Sequence, residues 1–76
     1  MTNVEIYSHP GCSYCHQAKG LLNAQGVKYQ DFDVAQNSQL LAEMVSRTGG
    51  RTLPQVIING QAIGGFNELR KLVLDN

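Results

Sequence analysis

The spacing of apolar positions along the chain switches between two periods, and the switches mark its elements. Residues 3–8 hold Val4, Ile6 and Tyr7 in a compact segment and predict a strand. His9-Pro10-Gly11 breaks it with a loop signal. Over residues 13–24, Tyr14, Ala18, Leu21 and Leu22 recur at helical spacing, and Gly26 is placed to end that helix. Residues 28–34 carry Tyr29, Phe32 and Val34 and predict a second strand, with imperfect alternation. Residues 38–48 predict a second helix, with Leu40, Leu41, Met44 and Val45 on one face and Gly49-Gly50 as its stop. A short apolar strand at 55–58 runs into Asn59-Gly60, a strong hairpin signal, so residues 61–63 should pair back antiparallel. Gly64-Gly65 then turns the chain into a last helix, with Phe66, Leu69, Leu72 and Val73 facing inward.

The predicted order is βαβαββα. Its first βαβ unit gives a parallel pair through a right-handed crossover, and the later hairpin adds antiparallel strands. The expected class is α/β, with a four-stranded mixed sheet and three helices in a single domain over residues 1–76. A chain of 76 residues buries only about 60% of its unfolded surface, which leaves no room for a larger doubly wound sheet.

Charge narrows the function. Six Lys plus Arg balance six Asp plus Glu, and no long basic stretch occurs, which argues against nucleic acid as the main partner. No apolar run approaches the roughly 20 residues needed to span a bilayer. Met-Thr-Asn-Val-Glu-Ile lacks a basic region followed by an apolar one, so no secretory signal is read and a cytoplasmic location is expected.

The two cysteines, Cys12 and Cys15, stand three apart where the first strand gives way to the first helix. A bridge across two residues closes almost no loop, so it adds little stability, and the pair reads as chemical rather than structural. A thiol at a helix start sits near the positive end of the dipole, and its pKa is expected to fall from about 8.5 to roughly 3.5–7.5. Cys12 is then the attacking thiol and Cys15, one turn further in, the resolving one. The low pKa also makes Cys12 a good leaving group, which suits an enzyme that passes a small thiol on and off.

Two metal readings compete. His9, Cys12, Cys15 and His16 supply four zinc-type ligands, but from one short segment with no second pair. Cys12-Ser13-Tyr14-Cys15-His16 matches the C-x-x-C-H pattern of haem attachment, yet a strand precedes it and no export signal is read.

Three motifs in order make the whole chain resemble the glutaredoxin family: Cys12-Ser13-Tyr14-Cys15, then Thr52-Leu53-Pro54-Gln55 with Val56-Ile57-Ile58-Asn59-Gly60, then Ile63-Gly64-Gly65-Phe66-Asn67-Glu68. The resemblance implies a thioredoxin-like fold and a glutathione-dependent thiol–disulfide oxidoreductase. Such an enzyme reduces protein–glutathione mixed disulfides and protein disulfides, with glutathione as co-substrate. It implies a cis Leu53–Pro54 bond, with the Leu53 main chain pairing to the cysteinyl part of glutathione. It implies that Gly65, Phe66, Asn67 and Glu68 receive the γ-glutamyl end, and that Tyr14 shapes the rim beside the thiol. For the glycyl carboxylate it offers His9, where the family commonly has Lys or Arg, and Arg47. Glu68 departs from the family's usual Asp, and Ser13 from its usual Pro. His16 and Lys19 read as solvated. The C-S-Y-C variant resembles glutaredoxins able to hold a [2Fe-2S] cluster between two subunits, with Cys12 and glutathione thiols as ligands. A redoxin served by thioredoxin reductase is the other alternative. The expected partners are glutathione and disulfide-bearing or glutathionylated proteins, with no membrane, and the expected state is a monomer.

Overall fold

Alternation along the first strand decides how the layers assemble. In the computed structural model, which describes residues 3–74, β1 (Val4–Ser8) lies inside a sheet with covered faces. Successive strand residues point to opposite faces. Val4 and Ile6 join Val56 against Ala18, Leu22, Leu69 and Val73. Tyr7 joins Ile57 and Val34 against Met44. Each fully buried Leu, Ile or Val in these two clusters contributes about 1.5–3 kcal/mol of transfer free energy.

The remaining elements are α1 (Ser13–Ala24), β2 (Gln30–Asp33), α2 (Ser38–Thr48), β3 (Gln55–Ile58), β4 (Gln61–Gly64) and α3 (Phe66–Leu74). The sheet order is β2-β1-β3-β4. β1 runs parallel to β2 and antiparallel to β3, and β3 runs antiparallel to β4. Helices α1 and α3 cover one face and α2 the other, through the two clusters above. The expected βαβαββα order and thioredoxin-like α/β class are therefore found.

Local signals act where expected. Asn59 and Gly60 both have positive φ (52° and 82°), the geometry of a type I′ hairpin turn. Gly49 ends α2 in the left-handed conformation at φ 75°. Three details differ. Pairing of β2 starts at Gln30 rather than residue 28, because its register runs opposite Glu5 to Ser8. Leu41 and Leu72, expected to face inward, are 42% and 40% exposed. A single sheet face covers only a narrow stripe of each helix, and Met44 on α2 and Leu69 and Val73 on α3 occupy it.

Candidate active site

The C-terminal end of β1 delivers the chain into the loop 9–11 and then into α1, with Cys12 as the helix N-cap. Cys12 has extended backbone angles, and its Sγ accepts a hydrogen bond from the Cys15 backbone N–H at 3.1 Å. No acidic residue occupies the first turn of α1. The N–H and the positive helix end thus face a sulfur that must carry negative charge when it attacks. Both cysteines are free thiols; Cys12 is partly exposed and Cys15 fully buried. Burial, with the Cys12 sulfur alongside, pushes the Cys15 thiol up to about 12. The two thiols are therefore unequal: one is accessible, and the other is protonated and hidden.

The Leu53–Pro54 bond is cis. The Leu53 carbonyl oxygen lies 3.8 Å from Cys12 Sγ. Pro54 is buried, and its own carbonyl would stand 3.2 Å from a Cβ placed on Gly65. The absence of a side chain at Gly65 thus lets the start of α3 approach the proline loop. Between them runs an open groove of about 380 Å³. Tyr14, Leu53, Pro54, Gly65, Phe66, Asn67 and Glu68 line it, as the sequence predicts for a common site. Tyr14 is 57% exposed and its ring meets Phe66 at 5.7 Å between centroids, forming the rim.

Thr52, Gln55 and Gly64, motif residues for which the sequence predicts no contact, also line the groove. Gln55 is buried, and its Nε2 donates to the Thr52 carbonyl at 3.0 Å, which braces the loop before the proline. Its place inside the Thr52-Leu53-Pro54-Gln55 motif was the available signal.

Glu68 has a partner within the chain. Its Oε1 accepts the Gly65 N–H at 2.7 Å, the helix-start half of a capping box. A Cβ on Gly64, whose φ is +118°, would lie 2.7 Å from Glu68 Cγ. Glycine at 64 is thus required by the backbone angle, and the folded-back Glu68 side chain packs directly against it.

Two residues expected at the groove lie elsewhere. Arg47 donates to both Glu5 carboxylate oxygens at 2.9 Å and to the Tyr7 hydroxyl at 2.9 Å. Its guanidinium also lies 5.9 Å from the Tyr7 ring centre. Arg47 holds the Glu5 carboxyl below its ordinary range. Burial, then the hydrogen bond to Glu43, raises the Tyr7 hydroxyl. Arg47 therefore joins α2 to β1 and is absent from the groove lining. The reason is alternation: Glu5 and Tyr7 share the strand face under α2. His9 is exposed, and its Nδ1 accepts the Gly11 N–H at 2.8 Å. His16 is exposed and its Nε2 lies 2.8 Å from the Pro10 carbonyl. Lys19, expected to be solvated, is only 21% exposed and pairs with Asp31. Among the described residues no group of three or more His, Cys, Asp or Glu is placed to hold a metal ion. Among them, too, no helix is long and apolar enough to cross a membrane.

An accessible thiol at a helix start, a buried partner one turn on and a cis-proline loop across from them define a thioredoxin-like dithiol redox protein. A family model for glutaredoxin matches residues 4–63. The chain is 44% identical over 72 residues to glutaredoxin 3 of Escherichia coli strain K12, covering 95% of this chain and 87% of that protein. The solution structure of glutaredoxin from Brucella melitensis superposes with a TM-score of 0.83 at 38% identity, over 100% of this chain and 83% of that one. A buckwheat glutaredoxin–glutathione complex superposes with a TM-score of 0.85 at 32% identity, over 95% and 68%. The chain belongs to the glutaredoxin family, and with it to the thiol oxidoreductases.

Proposed function

We propose that this protein reduces protein–glutathione mixed disulfides and protein disulfides with electrons from glutathione, acting as one domain in the cytoplasm. The observation that carries the reading is the inequality of the two thiols beside a groove lined largely by main chain. The glutathione complex of the buckwheat relative supports the same ligand here.

In the first step the Cys12 thiolate attacks the glutathionyl sulfur of a mixed disulfide. The protein thiolate leaves and takes up a proton, and Cys12 carries glutathione. A second glutathione thiolate attacks the glutathionyl sulfur of that adduct, which releases oxidised glutathione and restores Cys12. With a protein disulfide, Cys12 instead bonds to the protein. Cys15 then attacks the Cys12 sulfur, releases the protein thiol and leaves a Cys12–Cys15 disulfide that two glutathione molecules reduce. Glutathione lies extended in the groove, its cysteinyl part against the Leu53 main chain. Its γ-glutamyl carboxylate lies at the start of α3 near Asn67. There it takes over the Gly65 N–H from Glu68, and Glu68 turns to the ligand's amino group. Tyr14 and Phe66 form the rim that a protein substrate meets.

A glutathione-coupled turnover assay on a small mixed disulfide, run beside a thioredoxin-reductase assay, tests the reading. Turnover with glutathione and none with thioredoxin reductase is expected; the opposite result would make the chain a reductase-fed redoxin. The cluster reading assigns Cys12 as this chain's ligand, since Cys15 is buried and protonated. A brown, glutathione-dependent dimer after anaerobic purification would favour it.

A further inference from the structure

On the α1 side of the sheet lies a three-residue polar network, Ser8–Asp31–Lys19, with no part in the thiol–disulfide steps above. Lys19 follows Cys15 by one turn of α1, so the two side chains share a helix face. Lys19 Nζ pairs with Asp31 Oδ2 on β2 at 2.5 Å. Asp31 Oδ1 accepts the Ser8 hydroxyl at the end of β1, also at 2.5 Å. Ser8 is 1% exposed and Cys15 0%. Lys19 is four-fifths covered, and charged side chains covered to that extent are held by a partner, as here. Here three consecutive elements, β1, α1 and β2, each supply one member and fix the ammonium group on the side of α1 that carries the buried thiol.

We propose that Lys19, held by Asp31 and Ser8, is a positioning residue for Cys15 whose fixed positive charge promotes the intramolecular attack of Cys15 on a Cys12-bound disulfide. The inference rests on the dithiol cycle proposed above. In the resting protein two influences keep Cys15 protonated: burial, and the neighbouring Cys12 sulfur. A backbone hydrogen bond from His9 and, more weakly, the charge of Lys19 act in the opposite direction. Once Cys12 is bonded to a substrate sulfur it carries no negative charge, so its opposition disappears and the favourable influences of Lys19 and His9 remain. Cys15 is thereby held inert until the adduct exists and is helped only afterwards. With Cys12 neutralised, Lys19 is the charged group that acts on it, and Asp31 is the partner that holds Lys19 in place. In the step itself Cys15 sulfur bonds to Cys12 sulfur, the bond from Cys12 to the substrate sulfur breaks, and the substrate leaves as a thiolate that is protonated by solvent. The Cys15 proton is lost to solvent, and no outside oxidant or reductant is consumed.

The magnitude follows from thiol chemistry. Removing a nearby positive charge that costs Cys15 tenfold in thiolate also makes the remaining thiolate more basic and about threefold more nucleophilic. The net slowing is then about threefold, and proportionally more if the charge matters more. The test uses the full chain, reduced, mixed in a stopped-flow instrument with 5,5′-dithiobis(2-nitrobenzoate). Attack by Cys12 releases one equivalent of the yellow thiolate, and attack by Cys15 on the adduct releases a second. In Lys19→Met and Lys19→Gln the second phase should slow threefold or more while the first stays within twofold, and Lys19→Arg should restore the second phase. Gln keeps a hydrogen bond to Asp31 without the charge, so a Gln variant matching the wild type would overturn the proposal. Equal slowing of both phases in Met and Gln, unrescued by Arg, would show a structural role and overturn it too. Release of only one equivalent by the wild type would instead refute the dithiol cycle itself.

Discussion

Replacing Arg47 by alanine separates a structural arginine from a ligand-binding one. The side chain makes two bonds to Glu5 and one to Tyr7, and it is 32% exposed while Glu5 is 13% exposed. Removing it leaves a mostly covered carboxylate without its partner and takes one donor from a buried hydroxyl. An exposed pair would contribute only about 0.2–1 kcal/mol, and hydrogen bonds to charged groups about 1.5–3 kcal/mol. Intermediate exposure places the loss at about 1–2 kcal/mol. For a domain of this size that lowers the melting temperature by about 5–15 °C. Because Arg47 depresses the Glu5 carboxyl below its ordinary 4.5, the stabilisation is full above that value and fades as pH falls through the lower, folded-state value. Calorimetric melting of wild type and Arg47→Ala should therefore show a wide gap near neutral pH that narrows in acid. The KM for glutathione, from coupled turnover at a temperature where both remain folded, should be unchanged within twofold. An unchanged melting temperature together with a several-fold rise in KM would instead put Arg47 at the ligand's carboxylate.

Other substitutions probe the thiols and the groove. Cys12→Ser should abolish all turnover, whereas Cys15→Ser should spare reduction of glutathione mixed disulfides and impair reduction of protein disulfides; equal loss in both on the small substrate would reverse the assignment. Because burial pushes the Cys15 thiol up to about 12, iodoacetamide near neutral pH should label Cys12 alone, which peptide mass mapping checks. The unfolded thiol loses its proton nearer 9.0, so Cys15 should also make folding weaken as pH rises from about that value toward 12. Denaturant melts across that range should show it against a Cys15→Ala reference. Gly64→Ala puts a Cβ 2.7 Å from Glu68 at a φ of +118°, so it should both destabilise the fold and raise the glutathione KM severalfold. A variant as stable and as tight-binding as wild type would show that the chain at residue 64 can leave its positive φ without disturbing the groove.

What the sequence determined alone is the set of local decisions. Asn59-Gly60 makes a tight hairpin wherever it is placed, because both residues accept positive φ. Gly49 stops α2 for the same reason. The period of apolar residues chose helix or strand for each segment, and the spacing of Cys12 and Cys15 put one thiol at a helix start and the other a turn inside. The groove was legible too, since its residues stand in three contiguous motifs. How a side chain is shared among elements distant in sequence emerges only when the chain folds. Arg47 reads as a free cation on a helix, yet residue 5 lies on the strand face beneath it and claims the guanidinium. Glu68 reads as a ligand contact, yet the helix it opens uses it as a cap. Lys19 reads as solvated, yet β2 returns beside β1 and places Asp31 against it. A charge has no periodicity that announces its partner. Its role is set by the nearest opposite charge and by how much water is excluded between them, and both depend on strand pairing across tens of residues.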